Sequence, residues 1–258
     1  MPSVLAIAAH PDDIEFVMAG TLARLADRGW ELHYFNIANG CYGSMTLDSA
    51  ACSQARLAEA EHAAALLGAR FYPPICDDLA VVYTVENLAR VAAVVRLAKP
   101  QIVLTHSLVD YMEDHQNTAR LAVTAAFSRA MPNYRSRPEV APYSGDVTLY
   151  HAQPHGNRTP MGELVKPTHF VDVAHVWSRK RDCLLAHASQ AAWLDQTQQL
   201  GSYVATMESL NREVGAMSGR FALAEGWRKH LHLGLCSAEA DPLATALEVD
   251  GCLLRQPT

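Results

Sequence analysis

A chain of 258 residues, half of them hydrophobic, is long enough to bury a substantial core without disulfide staples. Its formal net charge of −6, from 21 basic and 27 acidic residues, disfavours nucleic acid and anionic membranes as partners, because both attract clustered Lys and Arg. The six cysteines form no CxxC pair, and no apolar run approaches the ~20 residues of a membrane-spanning helix, so we expect a cytoplasmic protein with reduced thiols and no membrane span.

The first half of the chain alternates between strand and helix patterns. Short apolar runs bounded by turn residues predict strands at 3–9, 31–38, 70–74 and 101–106. Apolar residues at helical spacing predict helices at 15–28, 48–67, 85–98 and 117–130. Such alternation is typical of a Rossmann-like α/β fold, a mostly parallel sheet flanked by helices.

The second half of the chain is rich in prolines and loops. It predicts strands at 147–152 and 169–173 and helices at 174–190 and 202–218. We expect a single domain over residues 1–258, with a Rossmann-like core at 1–131 and substrate loops, extra strands and C-terminal helices at 132–258. Those apolar C-terminal helices either cover the sheet or form the subunit interface of a homo-oligomer.

Two polar clusters follow strands that we expect to be neighbours. The stretch AHPDDIEF, residues 9–16, leaves the first strand, and residues 106–115 leave the fourth. In an open parallel sheet with the order 3-2-1-4, the ligand crevice lies at the carboxyl ends of strands 1 and 4. The two clusters should therefore meet in one crevice.

A metal ion would explain why two aspartates stand side by side in the first turn. Adjacent carboxylates repel each other, and Asp12 and Asp13 would also repel a dinucleotide pyrophosphate. Two imidazoles and a carboxylate with an open coordination position make a catalytic zinc site, here His10, Asp13 and His115. The competing interpretation is that the aspartates only cap the helix that follows.

The sequence of these two clusters resembles the PIG-L/LmbE family of zinc-dependent N-deacetylases. The likeness is carried by AHPDDIE near the N-terminus and DYMEDHQNTARL after the fourth strand. It extends to RLAEAEHAAALLGA, LLAHASQ and SGRFALAEGWR, and so covers most of the chain.

The resemblance implies a function and a set of roles. His10, Asp13 and His115 would hold Zn²⁺, and Asp12 would be the general base. The substrate would be a small N-acetylated molecule, commonly an amino sugar such as an N-acetylglucosamine derivative or a glycoconjugate. The reaction would be hydrolytic removal of the acetyl or acyl group.

One position departs from the family pattern. Many members carry a histidine three positions before the last zinc ligand, where this chain has Met112, and a thioether donates no proton. Another group must then protonate the amine or bind the oxyanion, and the candidates are His106, His151, His155 and His187. Each of them could instead be a structural histidine. We favour His155 as the catalytic group, because it lies in a polar loop bounded by prolines.

Other residues have two interpretations each. Arg56 is expected to contact substrate or to pair with a glutamate on its own helix. Asp78 would bind a sugar hydroxyl or close a turn. His106 and His187 are further candidates for substrate binding. Asp114 would orient a ligand imidazole from behind or cap a helix.

Two other functions fit the same residues. Two histidines and a carboxylate also form the facial triad of non-haem Fe(II) oxygenases, so the choice between Zn²⁺ and Fe²⁺ stays open. Met112 also suits a protein that binds a metal and a ligand without turnover.

Overall fold

One twisted sheet organises the chain. The computed structural model describes residues 1–190 and 203–256. Within these ranges the sheet has eight strands in the order β3-β2-β1-β4-β5-β7-β6-β8. They are β1 (Ser3–Ala8), β2 (Glu31–Asn36), β3 (Arg70–Tyr72), β4 (Ile102–Thr105), β5 (Thr148–Ala152), β6 (His169–Asp172), β7 (Ala224–Lys229) and β8 (Leu253–Arg255).

Five neighbouring strands are parallel. β1 lies between β2 and β4, with Ala6 opposite Tyr34 on one side and Leu104 on the other. β3 and β5 extend this unit in the same direction, whereas β7 and β8 each pair antiparallel with their neighbours. The predicted order 3-2-1-4 and the mostly parallel α/β sheet are confirmed.

Helices cover both faces of this sheet. They are α1 (Asp13–Val17), α2 (Ala19–Ala26), α3 (Ser49–Leu67), α4 (Val85–Ala98), α5 (Glu113–Phe127), α6 (Trp177–Leu185), α7 (Tyr203–Ser218) and α8 (Pro242–Leu247). Local signals fix several ends: Asp48 accepts a hydrogen bond from the Ala51 N–H at 2.8 Å, and Gly68 ends α3 at a φ of 70°. Among the described helices, none combines the length and apolar character needed to span a bilayer.

The alternation of side chains in β1 divides the core between two faces. Ala6 packs with residues of α2 and α3, and Ile7 packs with residues of α4 and α5. A strand that is buried on both sides reads as a continuous apolar run, as SVLAIA does. The C-terminal helix α7 also packs against the sheet, where Val214 meets Phe170 and Ala224.

Some predicted boundaries were wrong. The helix predicted at 15–28 is two helices, because the chain leaves helical geometry at Met18 (φ −133°). The helix predicted from residue 117 begins at Glu113, where acidic side chains favour a helix N-terminus. Strands β7 and β8 were not predicted. Because residues 1–131 and 132–258 each contribute four strands to one sheet, we keep the prediction of a single domain over 1–258.

A buried ion pair joins the last part of the sheet to the first helices. Glu225 on β7 accepts hydrogen bonds from the backbone N–H groups of Gly20 (2.8 Å) and Thr21 (2.7 Å), which begin α2. The Lys180 ammonium on α6 contacts the same carboxylate and donates to the Phe16 carbonyl at 2.9 Å. Both side chains are buried, so each charge depends on the other.

We predict that Lys180→Met lowers the free energy of unfolding by about 3–5 kcal/mol, because Glu225 is then buried without its positive partner. Urea denaturation followed by circular dichroism measures this loss. The control is Arg212→Met, which breaks an exposed ion pair with Glu208 four residues away and should change the value by less than about 0.5 kcal/mol. If both variants lost the same amount of unfolding free energy, the buried pair would contribute no more to stability than an exposed one, contrary to this prediction.

Candidate metal centre

Three predicted metal ligands converge at the carboxyl ends of β1 and β4. His10 follows β1, Asp13 begins α1 and His115 lies in the first turn of α5. One donor atom from each lies within 4.8 Å of the others. The Asp13 carboxylate stands between the two imidazoles, 3.3 Å from His10 Nδ1 through Oδ2 and 3.3 Å from His115 Nε2 through Oδ1.

Two further carboxylates hold the imidazoles from behind. Asp114 Oδ2 lies 2.9 Å from His10 Nε2, and Asp110 Oδ1 lies 3.0 Å from His115 Nδ1. Each ring therefore keeps one nitrogen, Nδ1 of His10 and Nε2 of His115, for a shared ligand beside Asp13. Carboxylates behind ligand histidines are the usual support of protein metal sites.

The electrostatics of this cluster favour positive charge. Burial lowers the pKa of His10, but Asp114 and Asp13 outweigh it and raise the value to about 9. Burial likewise opposes the shift at His115, where Asp13 and Asp110 raise the pKa to about 10. The carboxylates that stabilise positive charge on both rings would equally favour a bound cation. The donor set of two nitrogens and a carboxylate fits a divalent metal ion.

Asp12 lies beside the metal ligands in a strained conformation. Its φ of 108° is in the left-handed region, which is costly for a residue with a side chain and is found preferentially at functional sites. Oδ2 accepts a hydrogen bond from the Tyr203 hydroxyl, and Oδ1 lies 3.9 Å from the Arg56 guanidinium. Burial, opposed by Arg56, raises the pKa of Asp12 to about 6, so the carboxylate is ionised at neutral pH yet more basic than usual.

The cluster opens into a pocket of about 250 Å³. Asp12, the three candidate metal ligands and His155 are among the residues that line it. A pocket with convergent titratable groups at the switch point of a parallel sheet is the expected place for an active site.

A comparison with known protein families assigns part of the chain to a family. Residues 5–126 match the family model described as PIG-L: GlcNAc-PI de-N-acetylase. These residues are a PIG-L family domain. The match contains all three candidate metal ligands and Asp12, and the resemblance read from the sequence is confirmed.

Relatives of the PIG-L domain include two kinds of enzyme. The chain is 28% identical over 196 residues to the 4-oxalmesaconate hydratase of Pseudomonas putida, covering 73% of this chain and 74% of that one. It is 27% identical over 197 residues to the diacetylchitobiose deacetylase of Thermococcus kodakarensis, with coverages of 72% and 69%. The crystal structure of the 4-carboxy-2-hydroxymuconate hydratase from P. putida superposes with a TM-score of 0.69 at 27% identity, covering 89% and 96%. The shared fold thus extends beyond the PIG-L domain at residues 5–126.

Two predicted substrate-binding residues, Arg56 and Asp78, line the pocket, as does His155, the predicted catalytic group. Arg56 is itself buried and donates to the Pro11 carbonyl at 2.6 Å and to Gln190. Asp78 accepts from the backbone N–H groups of Gly40 at 2.7 Å and Tyr42 at 3.0 Å, so it also closes the loop after β2.

The His155 ring lies 5.7 Å from that of Tyr111, and its backbone N–H donates to Asp110 Oδ2 at 3.2 Å. Burial lowers the pKa of His155, which favours the neutral imidazole. The catalytic role assigned to His155 stays a prediction.

Other predicted histidines lie beneath the pocket. His106 is 2% exposed, accepts a hydrogen bond from the Ala9 N–H at 2.9 Å and stacks on His115 with ring centroids 4.2 Å apart. His187 is fully buried, 3.2 Å from Glu15. Their role in substrate binding stays a prediction that this burial does not support. His151 bonds to the His106 carbonyl and to His230, away from the pocket.

Asp114 was a candidate in the sequence analysis, whereas Asp110 was not. Asp114 contacts the imidazole of the distant His10, and its role in orienting a metal ligand stays a prediction. Asp110 was missed, although it lies in the motif DYMEDHQNTARL, five positions before His115. Tyr203, which holds Asp12, was also missed, because nothing in the sequence near α7 marks it.

We predict that His115→Ala abolishes binding of a divalent metal and that Asp110→Asn weakens it by about 10–100-fold, because the ligand ring loses its support. Competition with a chelating dye measures the affinity, and elemental analysis measures the bound metal. Asp182→Asn, an exposed change on α6, is the control and should bind metal as the wild type does. A His115→Ala protein that still binds one equivalent would refute the ligand assignment.

Proposed function

We propose that this protein is a zinc-dependent hydrolase that removes an acetyl or acyl group from an N-acylated small molecule, with amino sugars and their conjugates as the first substrate class. The observation that carries the proposal is the convergence of His10, Asp13 and His115 next to an ionised, strained Asp12 at the floor of a pocket. The deacetylase among the relatives supports it.

His10, Asp13 and His115 would hold the zinc ion. Zinc bound by such a set acts as a Lewis acid that activates water and polarises an amide carbonyl. The residues of the chain supply the rest. Tyr203 occupies Oδ2 of Asp12 and leaves Oδ1 to accept a proton from the attacking water. The pKa of Asp12, raised to about 6 by burial, suits a base that works near neutral pH.

The departing amine must receive a proton. Met112 lines the pocket but has no proton to give. Asp12 can return the proton that it took, in the manner of a single carboxylate that serves as base and then as acid. His155 also lines the pocket, and its imidazole is neutral. We therefore assign it the other open task, a hydrogen bond from its ring N–H to the oxyanion.

A hydratase is the second candidate, and Met112 is the observation that favours it. Adding water to a carbon–carbon double bond releases no amine, so it needs no acid at that position. The hydratase among the relatives uses the same fold. Against it, Arg56 is the one permanent cation among the described residues of the pocket wall, and its guanidinium is already bonded. A substrate with several carboxylates would find few partners there.

The cysteines and the net charge suit a particular compartment and a particular class of substrate. All six cysteines are free, which suits a reducing compartment, and we assign the protein to the cytoplasm. The formal charge of −6 suits small-molecule substrates and not nucleic acid.

We predict that the zinc-loaded protein releases amine from N-acetylglucosamine or diacetylchitobiose and leaves 4-oxalmesaconate unchanged. Amine release is measured with an amine-reactive fluorophore, and hydration by loss of the ultraviolet absorbance of the conjugated substrate. Hydration without amine release would establish the second candidate. Turnover that requires oxygen would indicate an Fe(II) oxygenase and contradict both. Metal and ligand binding with no turnover on a broad panel would indicate a binding protein.

We predict that Asp12→Asn keeps its metal but loses about 10²–10⁴-fold in kcat, because an amide accepts no proton from water. Steady-state kinetics on the substrate identified above and elemental analysis of the same sample measure the two properties. Asp182→Asn serves as the control and should retain wild-type kcat. An Asp12→Asn enzyme within threefold of wild type would exclude Asp12 as the base.

A further inference from the structure

Leu79, at the mouth of the pocket, is a poor choice for fold stability in two respects. Its φ of 61° lies in the left-handed region, where Gly and Asn are the usual residues. Its side chain is 69% exposed, so it contributes little to the core. Strained residues persist where function requires them. Stability of the fold therefore does not explain why a leucine stands at this position, and we look for the reason in ligand binding.

The backbone at this position is fixed by the metal centre. The Leu79 N–H donates to Asp114 Oδ2 at 2.8 Å, the same oxygen that contacts His10. This bond explains the left-handed conformation, but it does not explain leucine. Glycine would make the same bond without strain. What leucine adds is an apolar side chain at the pocket mouth.

Two tyrosines complete an apolar rim, defined as Tyr42, Leu79 and Tyr111. All three line the pocket, and the tyrosines are 55% and 59% exposed. The Tyr111 ring is 5.6 Å from the His115 ring, so the rim begins directly beside the metal ligands. Exposed apolar groups collected around a pocket indicate a ligand surface of matching character.

We propose that the apolar rim binds a hydrocarbon or aryl group of the substrate, so that the enzyme prefers N-acylated compounds bearing such a group over free N-acetylglucosamine. This inference rests on the proposed deacetylase function. The apolar group has two possible sources, a longer acyl chain or a substituent on the amine component, and both share the same chemistry.

Three compounds separate the two sources. They are N-acetylglucosamine, its phenyl β-glycoside, and N-hexanoylglucosamine. We expect kcat/KM for at least one of the modified compounds to exceed that of N-acetylglucosamine by roughly tenfold, the preference that burial of about two methylene groups provides. A gain for the glycoside locates the apolar group on the amine component, and a gain for the hexanoyl compound locates it on the acyl chain.

The rim is tested by variants of Leu79 and Tyr111. Leu79→Ala and Tyr111→Ala should each reduce the kcat/KM ratio of modified to unmodified compound at least threefold. The control is Leu233→Ala, a change at a leucine that is 64% exposed and does not line the pocket, and the ratio should stay unchanged. Leu79→Gly should lower the ratio and also raise the melting temperature, because it removes the strain.

Binding makes the rim testable even without turnover. Affinities for the three compounds are measured by calorimetry on the zinc-loaded Asp12→Asn protein, with and without Leu79→Ala. If no compound is hydrolysed by wild type but the modified ones bind more tightly and lose that advantage with Leu79→Ala, the deacetylase proposal fails and the rim stands. Equal affinities for all three compounds, or a ratio unaffected by Leu79→Ala, would overturn the rim. So would a change of oligomeric state in Leu79→Ala, seen by light scattering, with unchanged affinities.

Discussion

The fold is arranged around one electrostatic requirement, the placement of the half-buried Asp13 carboxylate among the imidazoles of His10, His106 and His115. A carboxylate withdrawn from water needs positive charge close by. His10 and His115 lie 3.3 Å away on either side, and a divalent ion held by the three residues would satisfy the same requirement. Asp110 and Asp114 fix the rings in place. The loops that contain them are therefore held in place by contacts within the candidate metal centre.

The convergence of His10, Asp13 and His115 could be predicted, because these candidate ligands follow neighbouring parallel strands. Once β1 and β4 are placed side by side, residues that leave their carboxyl ends must meet, however distant they are in sequence. The supporting residues could not be predicted in the same way. Tyr203 reaches Asp12 from a helix that belongs to another part of the chain, and no spacing rule connects the two.

The fold shows the same division between local and distant causes. Helices α3 and α4 were predicted closely, since capping residues and helical periodicity are local signals. β7 was missed because its sequence AEGWRK contains charged residues, a glycine and no clean alternation. Its Glu225 is buried, contrary to the usual pattern, because Lys180 and the first turn of α2 neutralise it. Only the tertiary structure reveals those partners.

The Glu225 carboxylate also makes the two halves of the chain interdependent. Residues 1–131 alone would leave the amide groups of Gly20 and Thr21 without their acceptor and would expose β4 as an open edge, a surface that invites intermolecular pairing. The half that carries the candidate metal centre therefore depends on segments synthesised later. A nascent chain released early would carry all three candidate ligands with β4 as an exposed edge. Synthesis of the C-terminal half would cover that edge and supply Glu225.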